Sequence, residues 1–101
     1  MTETAIREAL RQVVDPELGI NIVDLGLVYR IETDGARVRV MMTMTSPACP
    51  LGDYLKALVE STIKRRVPGA EHVEIVFVWE PPWHPDMMSK DAQQQLSGGE
   101  P

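Results

Sequence analysis

The chain has 101 residues and a formal net charge of -5 at pH 7. This length suits one small domain with a modest core. The acidic balance and the lack of a basic stripe argue against binding to a nucleic-acid backbone. No apolar run could span a bilayer, no secretory signal is visible, and a single cysteine excludes an internal disulfide, so a reducing, cytoplasmic location without membrane contact is expected.

The first predicted helix runs from Thr2 to Val14, because apolar residues recur there at helical spacing. These residues are Ile6, Ala9, Leu10, Val13 and Val14. The helix must end at Asp15, since Pro16 disfavours the helical conformation in the residue before it. Residues 15–26 then form a loop that mixes apolar residues with three carboxylates, those of Asp15, Glu17 and Asp24. Considered one at a time, Asp15 and Asp24 could each be no more than a residue that stabilises a turn.

A hairpin is predicted after this loop. Leu27 to Thr33 alternates as a strand, and Asp34-Gly35 is a two-residue turn of the kind that matches strand twist. Arg37 to Thr45 alternates as the second strand. Two of its methionines, Met42 and Met44, sit at period two on an apolar face and are predicted to lie in the core rather than to bind metal.

A second helix is predicted from Leu51 to Arg66 and a third strand from His72 to Trp79. The helix has a buried stripe of Leu51, Leu55, Leu58, Val59 and Ile63. The strand places Val73, Ile75, Phe77 and Trp79 on one face. A stiff, proline-rich loop follows, and the domain is predicted to cover residues 1–86. Residues 87–101 are predicted to be a tail with little to bury, a short helix that frays into disorder.

This order of elements predicts a two-layer α+β domain, with two helices on one face of a small three-stranded mixed sheet. The hairpin makes the first two strands antiparallel, and the helix between the second and third allows those two to be parallel. The acidic loop, the turn after Thr45 and the loop after Trp79 should then converge at one edge of the sheet. Open α/β sheets usually hold ligands at such an edge. His72 should lie at the opposite edge.

Cys49 is the candidate reactive residue of the chain. It directly precedes the second helix, with Pro50 at the first helical position, and a helix N-terminus favours the thiolate over the thiol. The alternative is a buried, inert cysteine in a strand-to-helix turn. Of the two histidines, only His84 is expected on the same edge as Cys49.

Four ordered motifs resemble the metal–sulfur cluster biosynthetic family, which is SufT-like and also supplies the N-terminal domain of PaaD proteins. The motifs are D-P-E at 15–17, D-L-G-L-V-Y at 24–29, T-S-P-A-C-P at 45–50 and W-E-P-P-W at 79–83. The resemblance implies a non-catalytic role in maturing iron–sulfur proteins, together with client apoproteins and other assembly or carrier proteins. It also implies that Cys49 is the reactive residue, in the turn that begins at Thr45. The functional acidic residues carry over to Asp15, Glu17 and Asp24.

One cysteine cannot supply the four ligands that an iron–sulfur cluster normally needs. A homodimer could share a cluster between two Cys49 thiolates, with carboxylates, His84 or small thiols completing the ligand set. The chain could instead bind one iron, or receive a cluster transiently within a complex. A third arrangement binds no metal and brings a client protein to a carrier. Trp79, Trp83 and His84 are candidate partner-binding residues for it, because rigid aromatic surfaces suit interfaces, although Trp83 could equally cap the core.

Two other classes of protein stay open. A small thiol enzyme would use Cys49 as nucleophile, His84 as base and Asp15 or Asp24 as the orienting group. Against it, the chain offers little volume for a substrate pocket. A non-catalytic subunit of a larger enzyme complex, such as a phenylacetate-degradation system, is the other class. This chain lacks the long cysteine-rich C-terminal region of PaaD proteins, so that system is the less expected role.

Overall fold

A computed structural model of the protein describes residues 2–16, 18–45 and 52–97. These residues form a mixed sheet with strand order β1-β2-β3, in which β1 and β2 are antiparallel and β2 and β3 are parallel. The predicted α+β class is confirmed. The elements in chain order are α1 (Glu3–Leu10), β1 (Val28–Asp34), β2 (Arg37–Met42), α2 (Gly52–Arg66), β3 (His72–Phe77) and α3 (Lys90–Ser97).

Helix α1 is shorter than predicted, because the chain after it folds back on itself. The Thr2 side chain caps the helix by accepting a hydrogen bond from the Ala5 N–H at 3.0 Å. Beyond the helix, the Ile22 N–H donates to the Val13 carbonyl at 2.9 Å, and Val14 forms an antiparallel bridge with Asn21. Val14 is therefore exposed, and its predicted place on the buried face is wrong.

The hairpin forms where it was predicted, and Gly35 takes a positive φ of +61° in its turn. Both later strands end earlier than predicted, β2 at Met42 and β3 at Phe77. The chain beyond β2 nevertheless stays buried through Met44, so both methionines lie in the core as predicted.

The core lies between the sheet and the helices α1 and α2. Helix α2 buries Leu55, Val59 and Ile63, as predicted, while Leu51 lies outside the described residues. Ala92 of α3 is also fully buried in this core. The predicted tail therefore forms a third helix that packs on the rest of the protein. In the described part of the chain, no helix has both the length and the apolar character needed to cross a membrane.

Candidate functional site

The start of β1 and the ends of β2 and β3 lie at the same end of the sheet. Val28, Met42 and Phe77 are neighbours across the three strands and form the last row of the sheet. Just beyond this row, the Thr43 N–H donates to the Leu27 carbonyl at 2.8 Å. The strand ends thus converge as predicted, and we call this the converging end. His72 pairs with Arg37 at the opposite end, also as predicted.

Cys49 and Glu17 lie outside the described residues, so their predicted roles stay predictions. The residues that flank the cysteine segment are described. Thr45 is exposed after the end of β2, and Gly52 begins α2. A Cβ at Gly52 would lie 3.8 Å from a ring carbon of Phe77. Both flanks of residues 46–51 therefore lie at the converging end.

Asp15 is buried and forms hydrogen bonds within a turn. The residue is 2% exposed, and its Oδ1 accepts a hydrogen bond from the Leu18 N–H at 3.2 Å. Its carbonyl also accepts from the Gly19 N–H at 2.7 Å, where Gly19 has a φ of +70°. This geometry is that of a tight turn in the acidic loop (residues 15–26), which is the structural role weighed for Asp15 from the sequence.

Asp24 is held by donors on both carboxylate oxygens. Arg11 Nη1 donates to Oδ1 at 2.8 Å, and Asn21 Nδ2 donates to Oδ2 at 2.8 Å. Burial raises the pKa of Asp24, but the hydrogen bonds from Asn21 and Arg11 and the charge of Arg11 outweigh it and hold this pKa below its usual value. Asp24 is therefore an anchored carboxylate that ties the acidic loop to the end of α1.

Arg11 was not singled out from the sequence. Its hydrogen bond to Asp24 raises the pKa of Arg11, and burial opposes this only in part. Asn21 was also missed, although its spacing of three residues from Asp24 is typical of a side chain that caps a turn. The Asn21 Oδ1 does accept from the Asp24 N–H, at 2.9 Å.

The proline-rich loop (residues 80–89) returns from β3 to the acidic loop. The Trp83 indole N–H donates to the Leu25 carbonyl at 2.8 Å, and the Ser89 N–H donates to the Asp24 carbonyl at 2.7 Å. Gly26, with a φ of +78°, sits directly under this loop. A Cβ there would lie 2.4 Å from the Met87 carbonyl oxygen, so only glycine fits. The two loops are therefore fastened together at several points.

The two tryptophans lie in different environments. Trp83 is partly buried against the core, which matches the alternative in which it caps the core. Trp79 is 42% exposed and lies beyond the end of β3, so the predicted extension of the strand to Trp79 is wrong. Its ring stacks on that of Phe77, with ring centroids 6.2 Å apart. Trp79 is thus an exposed aromatic ring that stacks on Phe77, the residue that contacts the start of α2.

His84 has a local role in the proline-rich loop. It is exposed, and its Nδ1 accepts from the Asp86 N–H at 3.2 Å, which caps the single 3₁₀ turn Pro85–Met87. The Asp86 carboxylate lies 3.5 Å from the same nitrogen. Tyr29 supports this loop from β1, since its hydroxyl donates to the Pro81 carbonyl at 2.8 Å.

Among residues 2–16, 18–45 and 52–97, no group of three or more His, Cys, Asp or Glu side chains is placed to hold a metal ion. A broad depression of about 890 Å³ lies at the opposite end of the sheet, lined by charged side chains that include Arg37, Lys64 and His72. It is remote from the converging loops and contains none of the candidate residues.

Comparisons with known proteins identify a family for this chain. Residues 3–76 match the family model described as iron-sulfur cluster assembly protein. The Fe-S protein maturation auxiliary factor SufT of Staphylococcus aureus is 46% identical over 85 residues, which cover 83% of this chain and 96% of that protein. The Fe-S protein maturation auxiliary factor YitW of Bacillus subtilis is 42% identical and covers 93% of this chain and 96% of its own length. A crystal structure from Bacillus anthracis, of a domain of unknown function called DUF59, superposes with a TM-score of 0.90 at 36% identity, covering 98% of this chain and 92% of that chain.

Proposed function

Since the chain belongs to the iron–sulfur cluster assembly protein family, we propose that it is a non-catalytic factor that helps to transfer or target iron–sulfur clusters to client apoproteins. The observation that carries the proposal is the similarity to maturation factors along nearly their whole length. The cluster in this role is cargo, and the working partners are client apoproteins and other assembly or carrier proteins.

Cys49 is the residue that we propose to contact the cargo. A thiolate is the usual protein ligand of an iron–sulfur cluster, and one thiolate per chain leaves most of the ligand positions to other groups. Two chains, or one chain and a partner, would therefore share the cluster. Thr45 and Gly52 flank the cysteine segment at the converging end, which supports a site there. The role also requires a free thiol, which a reducing cytoplasm would preserve.

The other candidate residues take supporting roles in this proposal. Asp24 positions the acidic loop, because both of its carboxylate oxygens already accept hydrogen bonds from Arg11 and Asn21. Trp83 and His84 hold the proline-rich loop. Trp79 remains the candidate contact with a partner, since an exposed tryptophan is the type of residue that anchors interfaces.

The proposal is tested by Cys49→Ala in cells that carry only the variant protein. We expect normal thermal stability of the purified variant, but lower activity of several cluster-dependent enzymes at unchanged enzyme levels. Thr33→Ala, an exposed position far from the converging end, is the matched control and should leave those activities unchanged. Full activity of the cluster-dependent enzymes with Cys49→Ala, under high demand for clusters, would contradict the proposed role of this thiol.

Whether Asp24 holds the acidic loop or contacts the cargo is tested by comparing Asp24→Asn with Arg11→Met. If Asp24 acts only by holding the loop, the two variants should lower cluster-dependent activity to a similar extent. A much larger loss with Asp24→Asn, at equal stability, would instead assign its carboxylate to the cargo. His84→Ala separates the thiol-enzyme alternative, because a cysteine–histidine enzyme would lose its activity, whereas the assembly role should tolerate the change.

The sharing of cargo is tested by anaerobic reconstitution of the purified protein with iron and sulfide. Absorbance reports a bound cluster, and native mass measurement gives the number of chains that hold it. One cluster per two chains would support sharing in a homodimer. A chain that binds no cluster alone, but receives one when mixed with a carrier protein, would support sharing with a partner.

A further inference from the structure

The two edges of the sheet are built differently. Edge strand β1 alternates charged residues along its length, namely Arg30, Glu32 and Asp34, and its pairing with β2 is irregular between Val28 and Arg30. Charges and bulges of this kind prevent an edge from pairing with another chain. Edge strand β3 has the sequence H-V-E-I-V-F, with no lysine, proline or irregular pairing. The β3 edge therefore lacks the features that protect the β1 edge from pairing with another chain.

The free backbone groups of β3 can be identified from its pairing with β2. The His72 N–H donates to the Ala36 carbonyl at 3.1 Å, and the Val78 N–H donates to the Met42 carbonyl at 2.8 Å. Because strand hydrogen bonds alternate with period two, the N–H and C=O groups of Val73, Ile75 and Phe77 face away from β2. Within the described ranges, no residue is hydrogen-bonded to them.

The side chains along this edge form an apolar strip with an acidic residue at each end. Four residues of the strip are partly buried and Trp79 is exposed; the strip consists of Val73, Val76, Phe77, Val78 and Trp79. The one carboxylate inside it, Glu74, is paired with Arg39 at 2.8 Å. Glu71 and Glu80 bound the strip, are exposed, and have no ion-pair partner among the described residues.

We propose that β3 is a strand-addition site for an extended segment of a partner protein, apolar along its middle and carrying a cation near each end. The outward N–H and C=O groups would bind the main chain of the segment, and the apolar strip would contact its alternate side chains. Glu71 and Glu80 would each form an ion pair with one of the two cations of the segment. A second copy of this chain fits poorly, because it offers no cation at either end: antiparallel pairing centred on Ile75, which sets outward residues opposite each other, places Glu71 opposite Trp79 and Glu80 opposite Ala70 of the other copy.

Assigning the segment to a client or carrier protein rests on the proposed function, whereas the strand addition does not depend on Cys49. Binding is therefore measured in the Cys49→Ala protein, so that failure of one idea is distinguishable from failure of the other. The probe is a capped synthetic peptide of about ten residues, the length of chain that spans Glu71 to Glu80, with alternating valine and threonine between two lysines. The comparison peptide has glutamate in place of both lysines.

Nuclear magnetic resonance titration gives the affinity and the position of binding. We expect the lysine peptide to slow hydrogen exchange at the amides of Val73, Ile75 and Phe77. It should bind about fivefold more tightly than the glutamate peptide, as two exposed ion pairs would allow. Equal binding of the two peptides, or unchanged exchange at these amides, would overturn the proposal. Protection of the same amides by raising the protein concentration alone would replace the partner segment with a second copy.

Two variants sharpen the result. Glu80→Lys should abolish the preference for the lysine peptide, whereas Asp91→Lys, an equal charge change at an exposed site on α3, should retain it. Val73→Pro removes an outward N–H and leaves the bonds from β3 to β2 in place, so it should lower affinity for both peptides. Loss of the charge preference in Asp91→Lys as well would show that net charge, not the β3 edge, selects the peptide.

Discussion

The two ends of the sheet are held together by different interactions. At the converging end, the proline-rich loop donates hydrogen bonds to the Leu25 and Asp24 carbonyls of the acidic loop. At the opposite end there are a local hairpin turn and exposed ion pairs around Arg39. Exposed ion pairs contribute little to stability, whereas losing one partner of a buried hydrogen bond leaves the other unsatisfied. Single substitutions should therefore cost more at the converging end, which is also where the candidate site lies.

The largest difference between the ends is expected for alanine at two glycines with positive φ. Gly26→Ala should lower the free energy of unfolding by about 3 kcal/mol or more, because backbone strain adds to a clash with Met87. Gly35→Ala should cost only about 1 kcal/mol, since nothing lies within 4 Å of a Cβ there. Urea denaturation of both variants measures the difference. An equal decrease in the free energy of unfolding for both variants would mean that the proline-rich loop does not contact Gly26 closely.

A smaller effect is expected from replacing each tryptophan with phenylalanine. Trp83→Phe removes the donor to the Leu25 carbonyl and should lower the free energy of unfolding by about 2 kcal/mol. Trp79→Phe keeps an exposed aromatic ring and should change the free energy of unfolding by less than about 0.5 kcal/mol. Thermal or urea denaturation with a common probe compares the two. A larger loss for Trp79→Phe would reverse the assigned roles of the two rings.

The smallest effect is expected at Arg11, and it should depend on pH. The pKa of Asp24 is lower in the folded protein than its usual value, so its contribution to stability is present above about pH 4 and is lost as the pH falls through the folded-state pKa. Arg11→Met should cost less than about 1 kcal/mol at neutral pH, because the guanidinium is partly exposed. The difference from the parent protein should shrink in acid. Arg37→Met, at the opposite end, removes a guanidinium that forms no ion pair among the described residues, and should show no such loss in acid.

Local patterns in the sequence were sufficient to predict the sheet and the place where its ends meet. Asp34-Gly35 identifies the hairpin, and the period-two methionines Met42 and Met44 identify the buried face. The placement of His72 at the far end follows from strand direction alone. These features depend on residues that are close in sequence or on simple rules of connection, so they need no knowledge of distant contacts.

The network at the converging end could not be predicted in the same way. Arg11 meets Asp24 only because the chain turns back after α1, and this turn also exposes Val14. Trp83 is partly buried, and its N–H donates to a carbonyl of the acidic loop, a contact that no periodicity reveals. Ala92 likewise reaches the core through a loop whose path the sequence pattern does not specify. Each of these contacts joins segments that are far apart along the chain.

The bond from Trp83 to Leu25 joins residues 58 positions apart, whereas the hairpin at Gly35 joins near neighbours. Contacts between distant residues form slowly, because a long loop must close before they yield any stability. We therefore expect the hairpin to form early and the proline-rich loop to dock late. Chains fold in the order of their synthesis, so the Asp24 and Leu25 carbonyls stay open to water until residues 83–89 have been made. The acidic loop is thus covered only after nearly all of the described chain, up to Ser89, has been synthesised.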